Sequence, residues 1–388
     1  MKSERKRVLF VLPSLAGGGA ERAVVLLLRH MNRARFDLHL ALVEATGPYL
    51  SELPNDLAVH DLKTRRVRYS GLGLVRLIWK LRAHVVISSL PELNMATALG
   101  KAFMPPGTRL LLVEQIAVGA HLTDSRKHPG IWRWLYRHLY ARADQVICVA
   151  DYVLADLEER CGIPRQKLLR IYNPVDVERV RRLAEEPCHA SSVSHPHFIA
   201  VGRLVAQKGI DILLRAMADV RARIPSAELT LVGEGPLKSE LEEQAQQLGL
   251  SRGIHFAGFQ SNPYPYIKRA DVFVLSSRYE GLPLALLEAL AVGTPVVATD
   301  CPGGVREVLA DCPMGWLAPP LDPAQLAEAM ISAWHFTLKV RAQAEGVEKV
   351  LGRFRVEQIA REYESVISST CSATRSTGQV DGLSLRAR

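Results

Sequence analysis

The sequence predicts an α/β fold built from two doubly wound domains. Apolar strand-like runs alternate with amphipathic helical stretches along most of the 388 residues, which implies parallel βαβ units. A polar, proline-punctuated segment interrupts the alternation near the middle, after which it restarts. The hydrophobic content of 48% and mean hydropathy of +0.05 fit soluble packing, and no apolar run reaches the roughly 18 to 20 residues of a membrane span.

In the first half, strands are expected near 7–12, 37–43, 57–60, 84–88, 109–113 and 145–149, with helices near 20–31, 71–82, 92–102, 130–143 and 151–161. The opening Met1 to Arg7 followed by Val8-Leu-Phe-Val-Leu imitates a signal peptide. Pro13, the glycines Gly17 to Gly19 and the pair Glu21-Arg22 make a first β-strand and its turn the better reading. Residues 1–185 form the first domain and 186–196 the linker; 197–352 form the second domain, 353–369 a last helix, and 370–388 a tail expected to be disordered. The six cysteines are scattered without CxxC or metal-ligand spacing, which fits a reducing compartment and argues against structural zinc.

The second half restarts with strands near 197–201, 228–232, 254–257, 271–275 and 295–299, and helices near 323–334 and 355–369. Its loops carry chemistry. Gly202-Arg-Leu-Val-Ala-Gln-Lys-Gly209 follows a strand and opens a helix, so Arg203 and Lys208 sit where free backbone N–H groups already favour an anion such as a diphosphate. Arg203 in an ion pair with a nearby carboxylate is the plain alternative. The run Val296 to Gly304 repeats this layout, with Gly303 and Gly304 expected to let backbone amides approach an anion.

Between these loops lies Glu280-Gly-Leu-Pro-Leu-Ala-Leu-Leu-Glu288, two carboxylates eight residues apart across a strand-to-helix turn. Pro283 opens the helix and Gly293 follows its end. A carboxylate in so apolar a run needs a partner for its charge, and the hydroxyls of a sugar or ribose provide one. A single solvated Glu on a helix face is the competing reading of Glu288.

These motifs carry a family resemblance. G-R-L-x-x-x-K-G, then Val232-Gly-Glu-Gly-Pro-Leu237, then S-x-x-E-G-L-P-L-x-L-L-E-A-L-A-x-G-T-P-V-V-A-T-D resemble the retaining GT-B glycosyltransferases of family 4, and the resemblance covers nearly the whole chain. Gly17-Gly-Gly-Ala-Glu-Arg22 is similar to the subgroup that builds lipid-linked and surface polysaccharides in bacteria. The resemblance implies two Rossmann-like domains facing one cleft, the last helix crossing back to the first domain. A nucleotide sugar would bind the second domain and an acceptor the first. It places Glu288 on the ribose hydroxyls and Glu280 by the transferred sugar, with backbone contacts from Gly281 and Leu282 and with Gly17, Gly18 and Gly19 approaching phosphate or acceptor. Arg203 and Lys208 would stabilise the leaving diphosphate without a metal or other cofactor, and no D-x-D occurs in the chain to bind one. One position departs from the pattern: Val113-Glu-Gln-Ile116 stands where relatives carry a histidine that contacts the sugar. His121, in the loop Gly119 to Asp124, is either its replacement or a solvent-exposed loop histidine.

Charge is unevenly divided. Residues 1–190 hold 29 Lys and Arg against 19 Asp and Glu, a net of +10, while residues 191–388 are nearly balanced. The run Ile131-Trp-Arg-Trp-Leu-Tyr-Arg-His-Leu-Tyr140 mixes rings and cations at helical spacing, as a helix lying on an anionic membrane surface does. Ordinary packing of Trp132 and Trp134 on their own domain is the equal alternative. No nucleic-acid-reading module accompanies the basic half.

The sequence thus points to a cytoplasmic enzyme, peripheral on the inner face of the plasma membrane, that moves a sugar from a UDP-sugar to a lipid-linked saccharide with retention. A UDP-sugar 2-epimerase of the same architecture is the alternative. A catalytically silent binding protein would have shed Arg203, Lys208 and the two glutamates, all of which are present.

Overall fold

The computed structural model describes residues 5–125, 128–188, 196–337 and 344–372. The first domain runs β1 (Lys6–Leu12), α1 (Gly19–His30), β2 (Phe36–Leu42), β3 (Ala58–Asp61), α2 (Gly71–Leu81), β4 (Val85–Ser89), α3 (Pro91–Gly100) and β5 (Arg109–Glu114). It continues with α4 (Val118–Ser125), α5 (Pro129–Tyr140), β6 (Gln145–Cys148), α6 (Asp151–Cys161) and β7 (Leu168–Arg170). The seven strands form one parallel sheet in the order β3-β2-β1-β4-β5-β6-β7. Its central strands β1, β4 and β5 are largely apolar and buried because helices cover both faces, as a parallel sheet requires.

After α7 (Val177–Leu183) the second domain has β8 (His197–Val201), α8 (Ile210–Arg223), β9 (Glu228–Val232), α9 (Lys238–Gln247), β10 (Ile254–Gly258), α10 (Tyr264–Arg269) and β11 (Val272–Leu275). It is completed by α11 (Leu284–Ala291), β12 (Val296–Thr299), α12 (Val305–Leu309), β13 (Gly315–Ala318), α13 (Pro323–Thr337), α14 (Ala344–Gly352) and α15 (Val356–Ser372). Six parallel strands lie in the order β10-β9-β8-β11-β12-β13. Strand order therefore reverses beside β1 in one sheet and beside β8 in the other, where open α/β sheets bind their ligands.

The last helix returns to the first domain. On α15, Glu364 accepts from the Asn32 backbone N–H (2.7 Å) and pairs with Arg35 (3.2 Å), while Lys6 Nζ donates to the Ser368 carbonyl (3.2 Å). This helix extends to Ser372, past the expected tail boundary at 370; residues 373–388 and the linker core 189–195 lie outside the described residues. Helix α7, which the sequence reading does not predict and whose residues it assigns to the first domain, packs against α10 and α11 of the second.

The two domains also meet through a helix cap. The backbone N–H groups of Asp151 and Tyr152, at the start of α6, donate to the Glu307 carboxylate of α12 (2.9 and 2.8 Å). A carboxylate there satisfies N–H groups that have no partner within the helix and complements its dipole.

Candidate active site

The loops that follow β1 and β8 face each other across a cleft of about 1090 Å³ lined by both domains. Helix α1 begins directly at the glycines, so Gly17, Gly18 and Gly19 form the cleft's first-domain edge and Arg22 projects one turn further in. Opposite them stand Gly202, Arg203 and Lys208 from the β8–α8 loop. Gly209, at φ +58, ends that loop, and a Cβ there would sit 2.1 Å from the Ser276 carbonyl oxygen. Only glycine lets the Lys208 loop lie against the strand end that leads to Glu280.

Glu280 is buried on the β11–α11 loop. Its Oε1 accepts from Lys208 Nζ and from Ser277 Oγ, each at 2.6 Å. Its backbone is held from both domains: Glu280 N donates to Pro302 O (2.8 Å), and Ala117 N, after β5, donates to Glu280 O (3.0 Å). Beside it, a Cβ on Gly281 would meet the Gln115 carbonyl oxygen at 1.9 Å, so the two domains touch backbone to backbone at this position. Leu282 follows on the cleft wall, and Glu288, one turn into α11, is buried at 7% exposure. Glu288 is not a solvated helix face.

Gly303 and Gly304 do not line the cleft. Gly304 N donates to Gly281 O (2.6 Å), and a Cβ on Gly303 would meet Glu280 O at 2.5 Å. These glycines brace the Glu280 loop from behind, and the Gly304 amide expected to meet an anion is already used.

His121 lies in helix α4, not in a loop. It lines the cleft with its Nδ1 3.3 Å from the Tyr279 hydroxyl, next to Glu280. Arg203 is exposed on the cleft wall and acts electrostatically on Glu21; burial raises the Glu21 carboxyl while Arg203 lowers it. Among the described residues no group of three or more His, Cys, Asp or Glu could hold a metal ion.

Arg22 is among the site residues that the sequence reading left without a role. Its Nε and Nη2 donate to the Tyr49 hydroxyl (3.0 and 2.8 Å), its Nη1 donates to the Tyr264 hydroxyl, and the same Nη1 lies 3.7 Å from Glu288 Oε1. Tyr264 donates to Glu288 Oε1 (3.0 Å), and burial beside Glu288 raises the Tyr264 phenol well above its ordinary value. The signal was in the sequence: Gly19 and Arg22 lie three apart on one face of α1, so the side chain that follows the glycine edge must enter the cleft.

Two further sets of side chains belong to the first-domain wall, one lining the cleft and one beneath it. Asn173 Nδ2 donates to Gln115 Oε1 (2.7 Å). Deeper, Glu114 is fully buried at the end of β5, accepting from Tyr140 (2.6 Å), Gln115 N (3.0 Å) and Ile116 N (3.3 Å). Burial pushes its carboxyl up to about 8 against those hydrogen bonds, which lower it.

The aromatic helix divides its rings. On α5, Tyr136, Leu139 and Tyr140 are core and Trp132 packs partly buried against it, whereas Ile131 and Trp134 are exposed at 60% and 58%. Trp132 therefore does not face outward as the lipid-surface reading has it. No helix of the described residues is long and apolar enough to cross a membrane.

Residues 17–179 match the family described as Glycosyltransferase Family 4, and residues 186–345 match Glycosyl transferases group 1. An uncharacterised glycosyltransferase of Methanocaldococcus jannaschii is 33% identical over 182 residues, which are 46% of this chain and 44% of that protein. The match thus spans less than half of that relative. The N-acetylgalactosamine-N,N'-diacetylbacillosaminyl-diphospho-undecaprenol 4-alpha-N-acetylgalactosaminyltransferase of Campylobacter jejuni is 28% identical over 315 residues, 78% of this chain and 83% of that one. The Anabaena protein HepE, solved in complex with UDP-glucose, superposes with a TM-score of 0.76 at 19% identity, covering 94% of this chain and 99% of its own. At that identity the likeness shows the fold.

Proposed function

From a chain that belongs to the family 4 and group 1 glycosyltransferases, its two halves matching the two family domains in order, we propose a retaining transferase that uses a UDP-sugar and extends a lipid-linked saccharide or growing polysaccharide. The observation that carries the reading is the convergence of Glu280, Glu288, Lys208 and Arg203 on one interdomain cleft. The relatives support it in kind: the Campylobacter transferase is named for a diphospho-undecaprenol substrate, and HepE was solved with UDP-glucose.

In this reading the nucleotide sugar lies along the second-domain wall. Glu288 accepts hydrogen bonds from the ribose hydroxyls, and Lys208 and Arg203 meet the diphosphate. As the bond from sugar to phosphate breaks, negative charge grows on the departing oxygen, and cations already placed there stabilise it without reorganisation. Lys208 is tied to Glu280 in the structure, so the two groups are positioned before the donor arrives. Glu280, with His121 and Tyr279 beside it, faces the transferred sugar. The glycine edge at Gly17 to Gly19 approaches phosphate or acceptor, and no metal takes part.

The acceptor side is proposed to face an anionic membrane. Helices α2, α3 and α5 pack side by side and expose Leu72 and Trp79, Leu99, and Ile131 and Trp134 respectively, among the cations Arg76, Lys80, Arg133 and Arg137. Apolar tips within a field of cations suit the headgroup boundary of an anionic bilayer, here the inner face of the plasma membrane.

Thermal unfolding with a panel of UDP-, GDP- and ADP-sugars tests the donor assignment. A UDP-sugar is expected to protect most, and NMR of the product is expected to show the donor's anomeric configuration retained. Protection by none of the panel would remove the reading, an inverted linkage would remove retention, and release of a free epimerised sugar would select the epimerase instead.

A further inference from the structure

The Arg22 cluster joins the two domains across the ribose subsite. Tyr49 and Arg22 belong to the first domain, Tyr264 and Glu288 to the second, and the four form one hydrogen-bonded group. Arg22 and Glu288 expose only 13% and 9% of their side chains. The guanidinium lies over the Tyr49 ring, 4.7 Å from its centroid, and Tyr49 in turn donates to Gly17 O (3.1 Å). All three guanidinium nitrogens are thereby directed, and the arginine is fixed to the glycine edge.

A buried ion pair is a poor source of stability, because both partners lose their hydration; removing one partner, however, leaves an uncompensated charge. Glu288 depends on this pair. Its Oε1 receives Tyr264 and faces Arg22, whereas Oε2 accepts no hydrogen bond from a described residue and is left for a ligand hydroxyl.

We propose that Arg22 is a positioning residue which, from the opposite domain, holds the Glu288 side chain aimed at the donor's ribose, so that ribose recognition is complete only when the two domains are closed on each other. The inference rests on the donor reading above. It has a consequence that general damage to the fold does not share: Arg22 governs discrimination for the ribose hydroxyl, beyond overall affinity. A hydrogen bond to a charged group contributes about 1.5–3 kcal/mol, which is roughly tenfold to a hundredfold in affinity.

The test is calorimetric binding of UDP and 2'-deoxy-UDP to the full chain, to Arg22→Ala, to Arg22→Lys, and to both replacements in a Glu288→Gln background. If GDP or ADP protects the parent better, that ribo and deoxy pair is used instead. The parent is expected to prefer the ribonucleotide by about tenfold or more. Arg22→Ala should bring the two affinities within about twofold, chiefly by weakening UDP, and Arg22→Lys should restore part of the preference. In the Glu288→Gln background neither replacement should change the ratio further. A parent-like ratio in Arg22→Ala, with both nucleotides weakened alike, would overturn the inference and leave the donor reading intact. Failure of all three nucleotides to bind the parent would overturn both.

Discussion

Two carboxylates eight residues apart are each matched with a cation, but the cations come from different places. Glu280 is held by Lys208, a residue of its own domain, whereas Glu288 meets Arg22 from across the cleft. Both members of the first pair belong to the second domain, where Ser277 and the Pro302 carbonyl anchor Glu280, and the first domain touches only its backbone, through Ala117 N. The second exists only while the domains are together. In the proposed function the group near the reacting bond is therefore prearranged, and the group that reads the nucleotide is conditional on closure.

The largest effect expected from breaking this contrast is on the cationic side. Lys208→Ala and Arg203→Ala should each slow transfer by about a hundredfold or more, as removal of one charge-stabilising group does. Both variants within a fewfold of the parent in steady-state kinetics would take these cations out of the mechanism.

Beneath the cleft, Glu114 sharpens the comparison because it is buried and pairs with no cation among the described residues. Its carboxyl, pushed up to about 8, keeps a proton that the unfolded chain gives up near the ordinary 4.5. Stability from that retained proton is full below about pH 4.5 and is lost as pH rises through about 8. Urea titrations should show the parent losing on the order of 2–4 kcal/mol more than Glu114→Gln between about pH 4.5 and pH 8.5. Parallel pH profiles for the two proteins would assign the slope elsewhere.

The domains differ in charge as well as in chemistry. Sedimentation with anionic liposomes at low salt should fall more for the Arg133→Glu, Arg137→Glu double variant than for Arg215→Glu, Arg252→Glu in the balanced second domain. Each lysine or arginine near the surface contributes about 1 kcal/mol, over a screening length of about 8 Å at physiological ionic strength. Equal losses would detach the α2–α3–α5 face from the membrane.

The smallest expected effect is on the clamp away from the cleft. Glu307→Ala removes the carboxylate from the start of α6 and should lower stability by about 1 kcal/mol while leaving nucleotide affinity within about twofold, in contrast to Arg22→Ala. A loss of nucleotide affinity as large as that of Arg22→Ala would mean that any interdomain contact matters equally.

The same contrast explains what could be read from the sequence. Most of the second-domain wall comes from short runs, among them Gly202 to Lys208, Val232 to Gly235 and Glu280 to Glu288, each following the end of a strand, so spacing conveys geometry. The first-domain wall collects single residues from separate loops and helices: Tyr49, Gln115, His121 and Asn173 are far apart in sequence and meet only through sheet order. No local pattern marks them. Among the elements, β7 and β13 escaped notice because strands of three and four residues, largely not fully buried, show no period. Both readings of the aromatic run treat Trp132 and Trp134 alike, although residues two apart on a helix point about 200° apart, and the structure splits them between the core side and solvent. Gly303 and Gly304 look like an anion cradle in sequence, and only the approach of the Glu280–Gly281 backbone reveals what occupies them.

The difference between the two carboxylates is the central claim, and the most direct measurement is the division of effect between kcat and donor KM. With the nucleotide sugar that best protects the parent, Glu280→Gln should lower kcat with little change in donor KM, and Glu288→Gln should raise donor KM by about tenfold or more with a smaller change in kcat. The same division in both variants, or the reverse assignment, would contradict the account.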